Sequence, residues 1–271
     1  MGTGNNFLLP AVSLWWREVI RFLRQRSRIV GALGSPLLFW ILLGSGLGSS
    51  FHSPQAPAGM GYLEYFFPGT VALILLFTAI FSTISIIEDR REGFLQAVLA
   101  APVPRSSIVL GKILGGTTLA LLQGLLFLAL APWAGISLSL TSVVVCTGVM
   151  FIVALGLTAL GFLLAWRLDS TQGFHAIMNL FLIPMWLLSG AAFPPSGSSG
   201  WIGWVMKINP LTYGVAAIRR GLYAGNYGAG WDGAAQLPAM RVCFGISLLF
   251  AAVMFMTVLG LARQKRASDS A

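Results

Sequence analysis

The sequence predicts an all-α integral membrane protein with six transmembrane helices, and three observations carry that reading. Of its 271 residues, 56% are hydrophobic and only 9% are charged, with a mean hydropathy of +0.82. A soluble domain carries about 25% charged residues, so lipid is the solvent that this composition fits. Six apolar runs approach the ~20 residues that a helix needs to cross the hydrocarbon. The basic residues also sort to alternate connections between those runs, as they do when one side of the membrane is cytoplasmic.

Residues 1–28 come first. Arg17, Arg21, Arg24 and Arg28 recur at i, i+4, i+7 and i+11 and line one helical face, with Leu8, Val12, Trp15, Val19 and Phe22 opposite. Basic on one side and aliphatic or aromatic on the other describes an amphipathic helix lying in the cytoplasmic interface. The plainer reading is an orientation signal that happens to be helical. Arg26 breaks the stripe and marks a bend into the first span. The stretch is too polar, and the run after it too long, for a cleavable signal.

The spans fall roughly at 29–48, 66–87, 108–131, 143–166, 174–192 and 242–262. The first carries Pro36 and five glycines, and the fifth carries Pro184. Membrane helices tolerate such breaks when neighbours satisfy the freed backbone groups. One side of the predicted membrane takes the arginines of residues 17–28, Arg90, Arg91, Arg105, Lys112, Arg167, Arg263, Lys265 and Arg266. The other takes only Lys207, Arg219, Arg220 and Arg241, all in one long connection. Both termini are therefore expected in the cytoplasm, with residues 263–271 as a cytoplasmic tail. The connection Phe193–Arg241 is too long for a turn. Leu211, Val215, Ile218 and Leu222 recur in it at helical spacing, with Arg219 and Arg220 to the side. One or two short helices at, or dipping into, the outer leaflet are expected there, with Trp201 and Trp204 at headgroup level.

The spans hold little chemistry. No P-loop is present: Gly111-Lys112 invites one, but Ser106 and Ile113 stand where GxxxxGK[ST] needs Gly and Ser or Thr,. The two histidines, His52 and His175, are predicted on opposite sides, and no acid falls inside the predicted spans, which argues against an enzyme and against a proton-coupled transporter. Cys146 and Cys243 lie in apolar runs without metal spacing and read as packing,. Thr78, Ser82, Ser85, Gln123, Thr158 and Asn179 give the spans neutral polarity. Interhelical hydrogen bonding is the plain account of these, and lining a substrate path is the sharper one for Thr78, Ser82, Ser85 and Asn179. Gly44–Gly48 and Gly111–Gly115 fit GxxxG, a spacing that 32 glycines produce by chance. Lys112, at the foot of the third span, is expected to snorkel. A membrane protein with no energy source of its own borrows energy from a partner or works passively, as a channel or scaffold. The positive charge is explained by juxtamembrane residues, without nucleic acid.

The stretch EDRREGFLQAVLAAPVPRSSIVLGK, Glu88–Lys112, resembles the cytoplasmic loop of type-2 ABC transporter permeases: a charge cluster, Gly, a short helix, Pro, Arg and a closing Gly-Lys. SGAAFPPSG and NPLTYGVAAIRRGLY resemble the same family's stretch between its fifth and sixth spans, and the arginine-rich helix resembles its connecting helix. The nearest type is the nodulation-factor and daunorubicin-resistance exporters. The resemblance implies one permease of a homodimer in the bacterial inner membrane, powered by two copies of a separate ATPase that carries the ATP and Mg. No cofactor belongs to this chain itself. The resemblance places Glu88, Arg91, Glu92 and Gly93 where the loop meets the ATPase, and Phe94, Leu95, Val98 and Leu99 as an apolar docking edge. Pro102 stops the helix before Arg105. It implies export of an amphipathic molecule, drug-like, lipid-like or glycan-linked, past spans one, two and five. Polysaccharide and haem-related cargo stay open beside these.

Overall fold

The computed structural model describes residues 7–47, 60–192, 200–227 and 237–268, and these form helices and turns without a strand. Helix α1 spans Leu8–Arg24, α2 Arg26–Leu47, α3 Tyr62–Ser82, α4 Ile84–Arg91, α5 Phe94–Ala100 and α6 Arg105–Leu128. A 3-10 turn at Ala131–Ala134 leads to α7 (Leu140–Ala165) and α8 (Thr171–Leu187), followed by α9 (Gly200–Ile208), α10 (Pro210–Tyr227) and α11 (Met240–Ser268). Each spanning helix opens two to four residues before its apolar run. A helix begins at its cap, ahead of the apolar run. Ser139 and Ser170 show this, each accepting a backbone N–H three residues on, from Ser142 at 3.0 Å and Gly173 at 3.2 Å,.

Among the described residues, five helical stretches are long and apolar enough to cross a bilayer: Ile29–Gly46, Tyr62–Arg91, Arg105–Leu128, Leu140–Ala165 and Met240–Ala262. The second is α3 and α4 joined at Thr83, whose hydroxyl donates to the Ile80 carbonyl at 2.6 Å and tightens the turn. This rod outruns the apolar stretch 66–87 and takes in Glu64 before it and Glu88 and Asp89 after it. The stretch 174–192 forms only the 17-residue α8, about 26 Å at 1.5 Å per residue. Beyond Pro184 the chain leaves the helix and turns through Leu188–Ala192.

Helix α3 is the centre of the molecule, buried along nearly its whole length by α2, α6, α7 and α10. Trp40 of α2, Phe67 of α3 and Phe127 of α6 interlock with ring centres 4.9–5.6 Å apart. Pro68 has no N–H to offer the Glu64 carbonyl four residues back. The Tyr223 hydroxyl of α10 donates to that carbonyl instead, at 2.7 Å.

The expected short helices are α9 and α10. Helix α9 holds Trp201 and Trp204 exposed, whereas α10 is inserted against α7, α11 and α3 with Leu211, Val215, Ile218 and Leu222 all buried. Arg219 is buried with them rather than lying to the side. His52 and residues 193–199 and 228–236 lie outside the described residues, as do the side chains of Arg26, Arg28, Arg263, Lys265 and Arg266.

Candidate functional site

The charge cluster occupies the last turn of α4. After it Gly93 takes a φ of 77°, a conformation that costs a residue without Cβ little, and this reversal folds α5 back beside α4. Every charge in the cluster has a partner from another part of the chain. Asp89, fully buried, accepts from both terminal nitrogens of Arg17 at 2.7 and 3.0 Å and from Arg21 at 2.8 Å. Glu88 accepts from Arg21 at 2.9 Å. Arg90 donates to the Asp169 carboxylate at 2.8 Å and to the Trp166 carbonyl at 2.7 Å, closing the end of α7. Arg91 donates to the Asp169 carbonyl at 3.0 Å, and the exposed Glu92 stands 3.6 Å from Arg21.

Lys112 completes the cluster from α6. It is 6% exposed, and its ammonium donates to Glu18 at 2.6 Å, to the Ser85 hydroxyl at 3.2 Å and to Asp89. An ammonium has three donors, and all three are used, so the expected snorkelling is corrected: two acids hold Lys112 inside the protein. Arg17, Arg21 and Lys112 stand against Glu18, Glu88 and Asp89, three cations with three anions, and the exposed Glu92 lies at the rim as a fourth anion. Burial is the largest influence on Arg17 and opposes its charge, but the hydrogen bond to Asp89 together with the charges of Asp89, Glu18 and Glu92 outweighs it and lifts the guanidinium pKa above its ordinary value.

Small residues let α1 come close enough for these bonds. A Cβ at Gly111 would stand 2.6 Å from the Ala11 carbonyl oxygen, and one at Gly115 would stand 2.7 Å from Glu18 Cβ. The Gly111–Gly115 pair is therefore a contact surface of the small-xxx-small kind. The face of α1 set in this groove is Ala11, Leu14, Glu18 and Val19, a rotation from the expected division. Trp15 points its indole N–H at Thr118 Oγ1, 3.0 Å away. Leu8, Leu9, Val12, Trp16 and Leu23 form the exposed apolar row. Of the arginine stripe, Arg17 and Arg21 are bound to acids and Arg24 is exposed, while the side chain of Arg28 is outside the described residues.

Helix α5 also turns its apolar side inward. Phe94 lies under the Arg17 guanidinium, 3.7 Å from its ring centre, Leu95 is buried, and Val98 and Leu99 pack on the core. Gln96, Ala97 and Ala100 are left outward, followed by the exposed Ala101 and Pro102. Arg105 donates to the Ala262 carbonyl of α11 at 3.3 Å.

A cleft of about 490 Å³ lies beside the cluster, between α2, α3 and α8. Its walls are mostly Phe39, Leu73, Phe77, Phe81, Ile183 and Trp186. Thr78 and Ser82 border it, but their hydroxyls donate elsewhere, to Gln123 Oε1 and to the Ala79 carbonyl. Ser85 serves Lys112, and Asn179 is exposed on α8, so two of the four expected path residues meet at the cleft. Its polar lining also includes Ser35 and His175, whose ring lies tilted against that of Phe81 with centres 4.9 Å apart. Pro36, also in the wall, leaves the Ala32 carbonyl without its helical donor,. Among the described residues no group of three or more His, Cys, Asp or Glu converges to hold a metal.

A model of the ABC-2 type transporter family matches residues 11–223, which runs from α1 to α10. The chain is 26% identical over 205 residues to the putative transport permease ycf38 of Cyanophora paradoxa, covering 75% of this chain and 70% of that one. It is 26% identical over 211 residues to nodulation protein J of Rhizobium meliloti (strain 1021), covering 77% and 79%. It is 24% identical over 266 residues to the inner membrane transport permease YadH of Escherichia coli (strain K12), covering 94% of each.

Proposed function

Because this chain belongs to the ABC-2 type transporter family and is a multi-pass transport permease of it, we propose that it is the membrane subunit of an ATP-driven exporter. A separate ATPase, present in two copies, supplies the ATP and Mg, and two copies of this chain pair in a bacterial inner membrane. Six spans cross that membrane, with α8 as the fifth, and both termini face the cytoplasm. Helix α1 lies in the inner interface on Leu8, Leu9, Val12, Trp16 and Leu23. The homologue named an inner membrane transport permease supports this placement.

The observation that carries the reading is the ion cluster, which makes one block of α1, α4, α5 and α6. A push on the outward face of α5, or on Arg91 and Glu92, passes through Phe94 and Arg17 to α1. From there it passes through Glu18 and Lys112 to α6. Among the described residues, α2 and α8 show no such ion-pair tie and contact the rest chiefly through α3. They are the movable walls of the cleft. The cargo is an amphipathic molecule, its apolar part among the aromatic rings and its polar part near Ser35 and His175.

Purification in mild detergent tests this. An ABC ATPase co-eluting in equal stoichiometry supports the reading. A single-subunit oligomer that conducts solute without nucleotide defeats it in favour of a passive channel.

A further inference from the structure

Above the cleft, α8 ends in a buried turn. Leu188–Ala192 is not helical, yet Ser189 and Ala191 are 1% and 0% exposed. Irregular backbone at membrane depth must find its hydrogen bonds within the protein, and here side chains from other segments supply them. Asn209 donates to the Met185 and Leu188 carbonyls at 2.6 and 3.1 Å, Arg219 to that of Gly190 at 3.2 Å, and Tyr62 to that of Ala192 at 3.3 Å. The turn presses on α3 at Gly69, where a Cβ would stand 2.6 Å from the Ala191 oxygen. Trp186 borders the cleft and donates its indole N–H to the Gly69 carbonyl at 2.8 Å. One side chain is thus both a wall of the cleft and an anchor of the turn above it.

We propose that this turn is the outer closure of the cleft, and that a molecule in the cleft opens it by displacing the Trp186–Gly69 hydrogen bond. The assignment rests on the orientation proposed above, which directs the end of α8 outward. A guest seated among Phe39, Phe77 and Ile183 meets the indole, whose polar partner among the described residues is the Gly69 carbonyl. What remains on the turn is a set of separate side-chain hydrogen bonds to its carbonyls, each weak beside a packed aromatic core, so the turn undocks without dismantling α3.

Ser189→Cys gives the turn a buried thiol of nearly the same shape. Cys146 and Cys243, both buried, serve as internal controls. The chain is placed in right-side-out vesicles without any ATPase and treated with a membrane-impermeant maleimide. Adding Trp186→Phe keeps a ring but removes the donor. Labelling at position 189 should then rise roughly three- to tenfold, the population shift that one net hydrogen bond commands, with Cys146 and Cys243 unchanged. Gly69→Ala, which crowds the turn directly, should raise it at least as much. Should that variant fail to accumulate, Trp186→Phe decides the matter. Unchanged labelling, rapid labelling of Ser189→Cys alone, or an equal rise at Cys146 would overturn the closure. A rise seen only in inside-out vesicles upholds the closure and overturns the orientation instead.

Discussion

Glu18, Lys112 and Asp89 meet where no solvent can share the charge, and the balance among them is close. Deleting one partner of a buried ion cluster typically costs about 3–5 kcal/mol, because the remaining charge stays buried without compensation. Lys112→Met should therefore lower the thermal midpoint of the purified protein sharply. Lys112→Met combined with Glu18→Gln leaves two cations facing two anions and should recover part of the loss. Equal midpoints for the single and double variants would show that the two residues are not coupled. Lys112 was conspicuous in the sequence and Glu18 was not. A lone acid between Arg17 and Arg21 reads as part of a solvated basic face, because its partner lies 94 residues away and no local period points to it.

At the scale of helices, α5 and α1 are the parts a partner would move. Arg91 is exposed and donates to the Asp169 carbonyl, and Phe94 carries the stacked Arg17. Arg91→Glu should abolish most export while the chain still reaches the membrane. Phe94→Ala, losing a contact of about 0.5–2 kcal/mol, should reduce export less. Export assays normalised to membrane level check both, and unaltered export in the two variants would remove the loop from the coupling route. The helices themselves were legible, since long apolar runs fix them, but their faces were less so. Which side of α1 is buried depends on Gly111 and Gly115 across the groove, and hydropathy along α1 carries no trace of them. The burial of α10 was hidden by Arg219, whose charge suggests a surface. In the fold Arg219 donates to backbone carbonyls and lies over the Tyr65 ring, 4.4 Å from its centre. The cleft was legible only as two hydroxyls, Thr78 and Ser82, because its walls are aromatic residues that look the same in a core.

Across the whole molecule, attachment is uneven. The broadest helix pairings are α1 with α6, α7 with α11 and α3 with α6, while α8 touches its neighbours lightly and α2 leans almost entirely on α3. Only 17% of the apolar stretch in α2 is buried, against 83% in the rod of α3 and α4. Regions with few buried contacts open first. Amide exchange in detergent should accordingly run faster through α2 and α8 than through α6 and the middle of α3, measured by mass spectrometry on peptides from each. Uniform protection would contradict the division into a block and two wings.

The sequence distance between Glu18 and Lys112 also sets a calendar for biogenesis. At about 5–20 residues per second, the ribosome delivers Lys112 roughly 5–20 s after Glu18. During that interval the first helix has neither its cation nor the glycine groove of α6 to rest in. That amphipathic helix is made well before its seat, and it docks only when the third span arrives. A helix that waits in the interface, apolar row in the lipid and acid in the water, thus finds its seat only after two spans have been made.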